Sequence, residues 1–159
     1  MSAETVLAWL ADHAPDLKLI DHSRSTATVT EAAEVIGVEP GQIAKTLALK
    51  VGDGMMLLVT RGDARLSNAL CKAELGGRPR MLDAEATLAV TGHAVGGVCP
   101  FGLAQELPII ADRSLLAYPT VFPAAGSQTS SVEIAPLRLA ELVGARWVTV
   151  CTLPDPLAD

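Results

Sequence analysis

Two apolar segments joined by a tight turn constrain the fold of this 159-residue chain more than any other feature. Ile43–Val51 alternates large apolar side chains with smaller or polar ones, which is typical of a strand. Gly52-Asp53-Gly54 then predicts a hairpin turn, and residues 55–60 predict the second strand. Because further helices and strands alternate along the chain, we expect a mixed α/β domain rather than a doubly wound parallel sheet.

The remaining elements are shorter and follow local signals. We expect strands at residues 17–21, 108–111, 119–122, 131–135 and 147–151. The apolar spacing and the capping residues predict helices at residues 4–13, 30–37 (with Thr30 as N-cap), 65–75, 83–90 and 136–143. No linker or repeat divides the chain, so residues 1–159 are expected to form one domain with a frayed tail at 154–159.

Composition excludes several classes of protein. Half of the residues are hydrophobic and 3% are aromatic, so the core should be aliphatic. We see neither an apolar run long enough to cross a membrane nor a secretory signal, and we expect a cytoplasmic protein. The three cysteines are too widely spaced to predict a disulfide framework or a zinc site, and no cofactor is expected.

The distribution of charge allows two interpretations of residues 61–80. A net charge of −6 argues against broad, non-specific binding of nucleic acid. Residues 61–80 nevertheless contain five basic and two acidic side chains. This local patch could bind one short piece of nucleic acid, or it could be a solvated helix face. The basic members are Arg61, Arg65, Lys72, Arg78 and Arg80.

Lys45 is a candidate functional residue because of its position in the first strand. It shares its face with Leu47 and Leu49, whereas Lys50 points to the other face. An ammonium on a face that the strand buries needs an anionic partner, a ligand or a route to water. Both a binding role and a snorkelling lysine fit this pattern.

The segment 96–102, with the sequence Gly-Gly-Val-Cys-Pro-Phe-Gly, offers main-chain groups rather than side chains. Its glycines allow another group to approach the backbone closely, and Pro100 stiffens the loop. The amide N–H groups at 96–99, and again at 101 and 102, suit an oxyanion, a carbonyl oxygen or a phosphate. A plain turn between two elements is the alternative.

Together these segments resemble the YbaK/ProX family of aminoacyl-tRNA deacylases, which are related to the editing domain of bacterial prolyl-tRNA synthetases. The resemblance covers about residues 25–143 and rests on matching stretches in the same order: 30–33, 43–47, 91–92, 96–102, Pro108 and Asp112. It implies a compact α/β domain around a mixed, partly barrel-like sheet. The implied reaction is hydrolysis of the ester between a wrong amino acid and the terminal adenosine of a tRNA.

The resemblance also assigns the site. Lys45 would hold the 3′ end of the tRNA, and the amides of Gly96, Gly97, Val98 and Cys99 would polarise the ester carbonyl. The attacking group would be water or a hydroxyl of the substrate. The expected partners are the tRNA acceptor end and a synthetase on which the protein could dock. The other residues assigned to substrate binding are Thr46, Pro100, Phe101, Gly102, Gly126, Ser127, Gln128, Ser130 and Ser131.

The amino acid is not fixed by this pattern. Residues 127–131 read Ser-Gln-Thr-Ser-Ser, without the Lys-Arg pair of the cysteine-editing members or the His or Asn of the alanine-editing ones. Prolyl-tRNA carrying Ala, Cys, Ser or Thr is the expected substrate class. Two alternatives stay open: Cys99 as a thiol nucleophile with His93 as its base, and a catalytically silent module that binds tRNA or a synthetase.

Overall fold

The structure is a computed structural model that describes residues 2–154. The predicted frayed tail therefore lies almost entirely outside the described residues. The helices are α1 (Ser2–His13), α2 (Val29–Ile36), α3 (Asn68–Leu75), α4 (Ala84–Thr91) and α5 (Pro136–Val143). The strands are β1 (Ile20–Asp21), β2 (Ile43–Val51), β3 (Gly54–Arg61), β4 (Arg65–Leu66), β5 (Pro79–Met81), β6 (Ile109–Asp112), β7 (Phe122–Pro123), β8 (Ser130–Ser131), β9 (Arg146–Val148) and β10 (Cys151–Thr152).

The predicted hairpin forms the centre of the main sheet. Its strand order is β5-β2-β3-β6-β9, with β7 also paired to β2. β2 is antiparallel to β3 and β5, whereas β6 runs parallel to β3 and β9. The mixed α/β architecture is thus confirmed. Over residues 2–154 the sheet is open and does not close into a barrel.

One edge of β2 is covered at its two ends and not in its middle. β7 pairs with Ile43 and Ala44 at the start of the strand. β5 pairs with residues 49–51 at its end. The middle of the strand therefore borders a gap in the sheet, and this gap positions the cavity described below.

Apolar residues pack on both faces of the sheet. On one face, Ala44 and Ala48 belong to the larger core, which includes Val6 of α1 and Phe101. On the other, Leu49 packs in a smaller core with Cys71 of α3. By alternation, Lys45 lies on the second face, the side that its sequence position predicted.

Several element boundaries differ from the prediction. Thr28, not Thr30, caps α2, because its hydroxyl accepts the amide of Glu31. α3 begins after Ser67, whose hydroxyl accepts the amide of Leu70, and residues 65–66 instead form a strand paired with β10. The strand expected at 147–151 is interrupted and forms parts of β9 and β10. β5 was not predicted, since only its pairing with β2 makes it a strand.

Asp112 ties β6 to the last strand through main-chain groups. It is 1% exposed. Its Oδ1 accepts from Val150 N (2.8 Å) and Cys151 N (3.1 Å), and its Oδ2 accepts from Ser114 N (3.0 Å). A buried carboxylate satisfied by three amides is a strong local restraint.

We expect Asp112→Asn to destabilise the fold by about 1–3 kcal/mol, because the new NH₂ group would face a main-chain N–H instead of accepting from it. The urea midpoint should fall, whereas Asp53→Asn in the exposed hairpin turn should leave it unchanged. Equal midpoints for the two variants would show that Asp112 does not restrain this end of the sheet.

Candidate active site

The gap beside β2 opens into a cavity of about 320 Å³. Its border is formed mainly by β2, by α2 with the residues before it, by the start of the glycine loop and by β8. β5, α4 and β7 add residues to the lining. One wall is apolar and comes from Val29, Ala32 and Ile36 of α2 together with Ile43 and Phe122. The cavity therefore combines an apolar wall with a strand edge and a backbone loop.

Lys45 borders this cavity from β2. Its Nζ donates to the carbonyl oxygen of Ala64 at 2.6 Å. Partial burial lowers the pKa of Lys45, opposed by the nearby Cys151 and Asp63. Among residues 2–154 it forms no ion pair with a carboxylate. The ammonium is therefore held by one neutral acceptor and has donors left for a ligand.

Gly96 and Val98 bring the glycine loop to the cavity. Gly96 has φ 96°, a conformation that favours glycine. The amide of Gly97 instead donates to Ala94 O at 2.9 Å, which closes a turn. Within the described part of the chain, the amides of Gly96 and Val98 have no hydrogen-bond acceptor. Of the four residues expected to supply oxyanion donors, these two therefore combine an unpaired amide with a place in the cavity lining, whereas the Gly97 N–H is already bonded and Cys99 lies outside the lining.

Gly97 has a packing role. Its carbonyl accepts from Gly126 N at 3.2 Å. A Cβ at position 97 would lie 2.8 Å from Ser127 N and 2.9 Å from Ser127 Cα, closer than real Cβ atoms approach main chain. The glycine therefore allows two loops to stack backbone to backbone.

The second half of the glycine loop turns away from the cavity. Cys99 and Phe101 are fully buried, and Phe101 packs on Trp9 with 5.5 Å between ring centroids. Pro100 and Gly102 border a separate groove beside Trp9 and His13. The placement of Pro100, Phe101 and Gly102 thus does not support the expected contacts with substrate, because the apolar side chain of Phe101 anchors this half in the core.

The Cys99 thiol is also unsuited to nucleophilic attack. It lies 3.6 Å from His93 Nε2 and 3.7 Å from Phe101 O, inside the core. Burial raises its pKa to about 12. A reactive cysteine needs a lowered pKa and access to its substrate, and Cys99 has neither. This geometry disfavours the cysteine alternative.

The polar loop reaches the cavity only through its last two residues. Ser130 and Ser131 are buried and line it. Ser127 Oγ bonds Ser130 Oγ (2.6 Å), and Gln128 Nε2 donates to Val95 O (3.2 Å). Gly126, Ser127 and Gln128 therefore lie outside the cavity lining and brace the loop.

Residues 26–29 were missed by sequence reasoning. Thr26 N donates to Gln128 O at 2.6 Å, and His22 Nε2 bonds Ser131 Oγ at 2.7 Å. These contacts cross about a hundred positions of sequence, so local patterns cannot reveal them. The hydroxyl-rich stretch from Ser23 to Thr30 was the available signal, but of its residues only Thr30 was given a role, as the N-cap of a helix.

His93 fastens the glycine loop to α1. Its side chain is fully buried, and Nε2 donates to Phe101 O at 2.7 Å. The proton therefore sits on Nε2, so that Nδ1 accepts the hydroxyl of Ser2. Burial lowers the pKa of His93, and the Phe101 carbonyl opposes this shift.

No metal site and no membrane span were found in the described part of the chain. Residues 2–154 contain no cluster of three His, Cys, Asp or Glu side chains that could hold a metal ion. The longest helices are also too short and too polar to traverse a bilayer.

We expect stability to fall as the pH drops below about 6.5, the usual pKa of histidine. There the unfolded state takes up a proton that folded His93 resists, which favours unfolding. The melting temperature should therefore decrease from pH 7.5 to 5.5, and His93→Gln should flatten that decrease. His13→Gln is the control, because His13 is exposed. A slope unchanged by His93→Gln would contradict this role.

Comparison with known proteins identifies the family of this chain. Residues 23–142 match the model of the aminoacyl-tRNA editing domain. The chain is 39% identical over 153 residues to the uncharacterized protein YwhH of Bacillus subtilis, covering 95% of this chain and 98% of YwhH. It is 29% identical over 136 residues to the proline–tRNA ligase of Shouchella clausii, covering 83% of this chain and 24% of the ligase. The chain thus spans about a quarter of that ligase.

Solved structures agree with these sequence matches. One is the crystal structure of a candidate trans-editing enzyme for prolyl tRNA synthetase, with a TM-score of 0.87, 34% identity, and coverage of 95% of this chain and 97% of that one. Another is the hypothetical protein APE2540, with a TM-score of 0.85, 31% identity, and coverage of 93% and 99%. This chain belongs to the aminoacyl-tRNA editing domain family.

Proposed function

We propose that this protein is a trans-editing hydrolase that deacylates mischarged aminoacyl-tRNA, with prolyl-tRNA carrying a small wrong amino acid as its substrate. The observation that carries the proposal is one cavity whose lining includes Lys45 together with Gly96 and Val98, two residues whose amides have no acceptor among the described residues. Membership of the editing family and the relation to a proline–tRNA ligase support the same substrate class.

The chemistry needs positioning more than a strong nucleophile. An aminoacyl ester is already activated, so water can attack its carbonyl carbon directly; attack by a ribose hydroxyl would only move the acyl group along the ribose, and water would still have to complete the hydrolysis. The Gly96 and Val98 amides would stabilise the oxyanion that develops on the carbonyl oxygen. Collapse of the tetrahedral intermediate breaks the bond to the ribose oxygen, which takes up a proton and leaves as the hydroxyl of the tRNA.

Lys45 would supply the charge that holds the 3′ end. It has no carboxylate partner among the described residues, and its present acceptor is the neutral carbonyl of Ala64. A phosphate or ribose oxygen could share the ammonium with that carbonyl, since the ammonium has three donors.

The size of the cavity favours a small amino acid. Its volume of about 320 Å³ is at the lower end of ligand sites, and it must admit the terminal nucleoside as well as the aminoacyl group. The hydroxyls of Ser130 and Ser131 lie beside the apolar wall from α2. Alanine, cysteine, serine and threonine are compatible with that lining.

The basic patch contributes unevenly to tRNA binding. Arg61 is neutralised by Asp63 at 2.7 Å. Arg80, in contrast, is exposed and lies directly opposite Lys50 across β2 and β5. Like charges in such a cross-strand pair repel each other, and an RNA phosphate would relieve that repulsion. This pair stands at the end of β2 that follows the cavity.

The central test is deacylation of prolyl-tRNA charged in separate samples with alanine, cysteine, serine and threonine. We expect at least one to be hydrolysed, and we expect Lys45→Ala to lower kcat/KM at least about tenfold, because a ligand loses its charged partner. Lys18→Ala, at an exposed position away from the cavity, is the matched control. Melting curves should show that both variants stay folded.

Two outcomes would overturn the assignment. Near wild-type turnover by Lys45→Ala would remove its role in binding the 3′ end. Binding of every tRNA without hydrolysis of any would instead indicate the catalytically silent module.

Gly97→Ala should lose more activity than Cys99→Ser. The added methyl group would push residues 126–127 away and displace the neighbouring amides, and loss of one oxyanion donor costs on the order of a hundredfold. Serine at position 99 can still donate to Phe101 O and leaves the main chain in place. Gly54→Ala controls for an added methyl group, since Val51 O lies 3.6 Å from the new Cβ. Initial rates on one charged tRNA would rank the variants.

The reverse ranking would identify a different mechanism. Complete loss in Cys99→Ser, together with an acyl-thioester trapped on the wild-type protein, would establish Cys99 as the nucleophile.

A further inference from the structure

The free edge of β2 can be followed residue by residue. Leu57 and Val59 of β3 pair with β6, and Leu57 N donates to Pro108 O at 2.9 Å. Main-chain groups alternate sides along a strand, so the residues opposite these two, Ala48 and Thr46, direct their groups to the other edge of β2. Ala48 confirms this, because its carbonyl accepts from Leu82 N at 3.0 Å on that edge.

Thr46 has no partner at that edge. β7 pairs with β2 as far as Ala44, and the β5 side begins at Ala48, so the main-chain N–H and C=O of Thr46 point into the gap without a hydrogen bond to any described residue. Its side-chain Oγ1 is buried and is likewise unpaired within residues 2–154. Three polar groups of one residue thus lack protein partners on the cavity wall, and one of them, the hydroxyl, is buried, although buried polar groups are normally satisfied.

The dimensions of the gap restrict its occupant. From Ala44 to Ala48 is four residue steps, or roughly 13 Å at about 3.3 Å per residue. A peptide that adds to a strand edge pairs over several residues, and here β5 and β7 would block it at both ends. A flat heterocycle with a donor beside an acceptor fits between them.

The rim of the cavity suits the faces of such a ring. Met81 of β5 is 58% exposed and Val95 is 56% exposed, and both border the cavity. Large apolar side chains with this exposure gain from covering the face of a base. The free edge of β2 would therefore form hydrogen bonds with the polar atoms of the heterocycle, while the side chains of Met81 and Val95 contact its faces.

We propose, resting on the function proposed above, that the main chain of Thr46 recognises the terminal adenine of the tRNA. The N–H of Thr46 donates to adenine N1, its carbonyl accepts from the N6 amino group, and its hydroxyl bonds the same nucleoside. The edge of β2 then recognises the 3′ base, while Lys45 holds the 3′ end through a phosphate or ribose oxygen and the glycine loop polarises the ester carbonyl.

The test uses a stable analogue, 3′-alanylamido-3′-deoxyadenosine, and three versions of it with altered bases. Purine lacks the N6 amino group, 1-deazaadenine lacks N1, and 7-deazaadenine keeps both and is the control. Each lost hydrogen bond should weaken binding about five- to tenfold by calorimetry, whereas the 7-deaza analogue should bind like adenine. The amide proton of Thr46 should shift in NMR spectra with adenine and not with 1-deazaadenine.

A pair of variants tests the hydroxyl. Thr46→Val keeps the shape of the side chain and should weaken binding of the adenine analogue about fivefold, whereas Thr46→Ser should bind it like the wild type. Equal affinities across the analogues, an unmoved Thr46 amide, unimpaired Thr46→Val or no binding of any analogue would overturn the proposal. Because these readouts measure binding, failure of deacylation with intact base discrimination would overturn the proposed function and leave this inference standing.

Discussion

The interrupted pairing along one edge of β2 is the constraint on which the site depends. β7 and β5 pair with the same edge of β2, one at each end of the strand. Had either strand continued, the cavity would be filled by a regular ladder and Thr46 would be paired like its neighbours. On its other edge, β2 pairs with β3 continuously over residues 44–51. This pairing keeps the middle of β2 extended although no strand pairs with it on the side of the gap.

The glycine loop shows how a backbone site is held without side chains in it. Its large and polarisable side chains point inward: Phe101 and Cys99 are buried, and His93 bonds both the loop and α1. Burial of Phe101 anchors the loop by roughly 1.5–3 kcal/mol, the usual value for a large apolar side chain. Gly96 and Val98 remain at the cavity with amides that have no acceptor among the described residues, and Gly97 lets the polar loop pack directly on the glycine loop.

Local sequence patterns predicted most helices and strands and some of the residues that line the cavity. Ile43–Val51 and α5 have the predicted boundaries, and Gly37 and Gly76 end α2 and α3 in the left-handed conformation. The cavity residues from β5 and from the segment before α2 were not predicted, because long-range pairing alone brings them to β2. Sequence order also cannot show that residue 98 borders the cavity while residue 101 is buried in the core, so the contacts predicted for residues 100–102 stay a prediction.

The unpaired groups around the cavity define what can enter it. The Gly96, Val98 and Thr46 amides are unpaired donors, and the Lys45 ammonium has donors left besides the one that Ala64 O accepts. The unpaired groups that can accept are the carbonyl and the hydroxyl of Thr46. A site with an excess of donors favours a ligand rich in acceptors, such as a phosphate or an ester carbonyl. The chain as a whole is acidic, at −6, so this preference is local and depends on the excess of donors rather than on long-range attraction. The proposed function would benefit from that arrangement, because a tRNA end would have to be recognised by its chemistry at short range and released once the ester is gone.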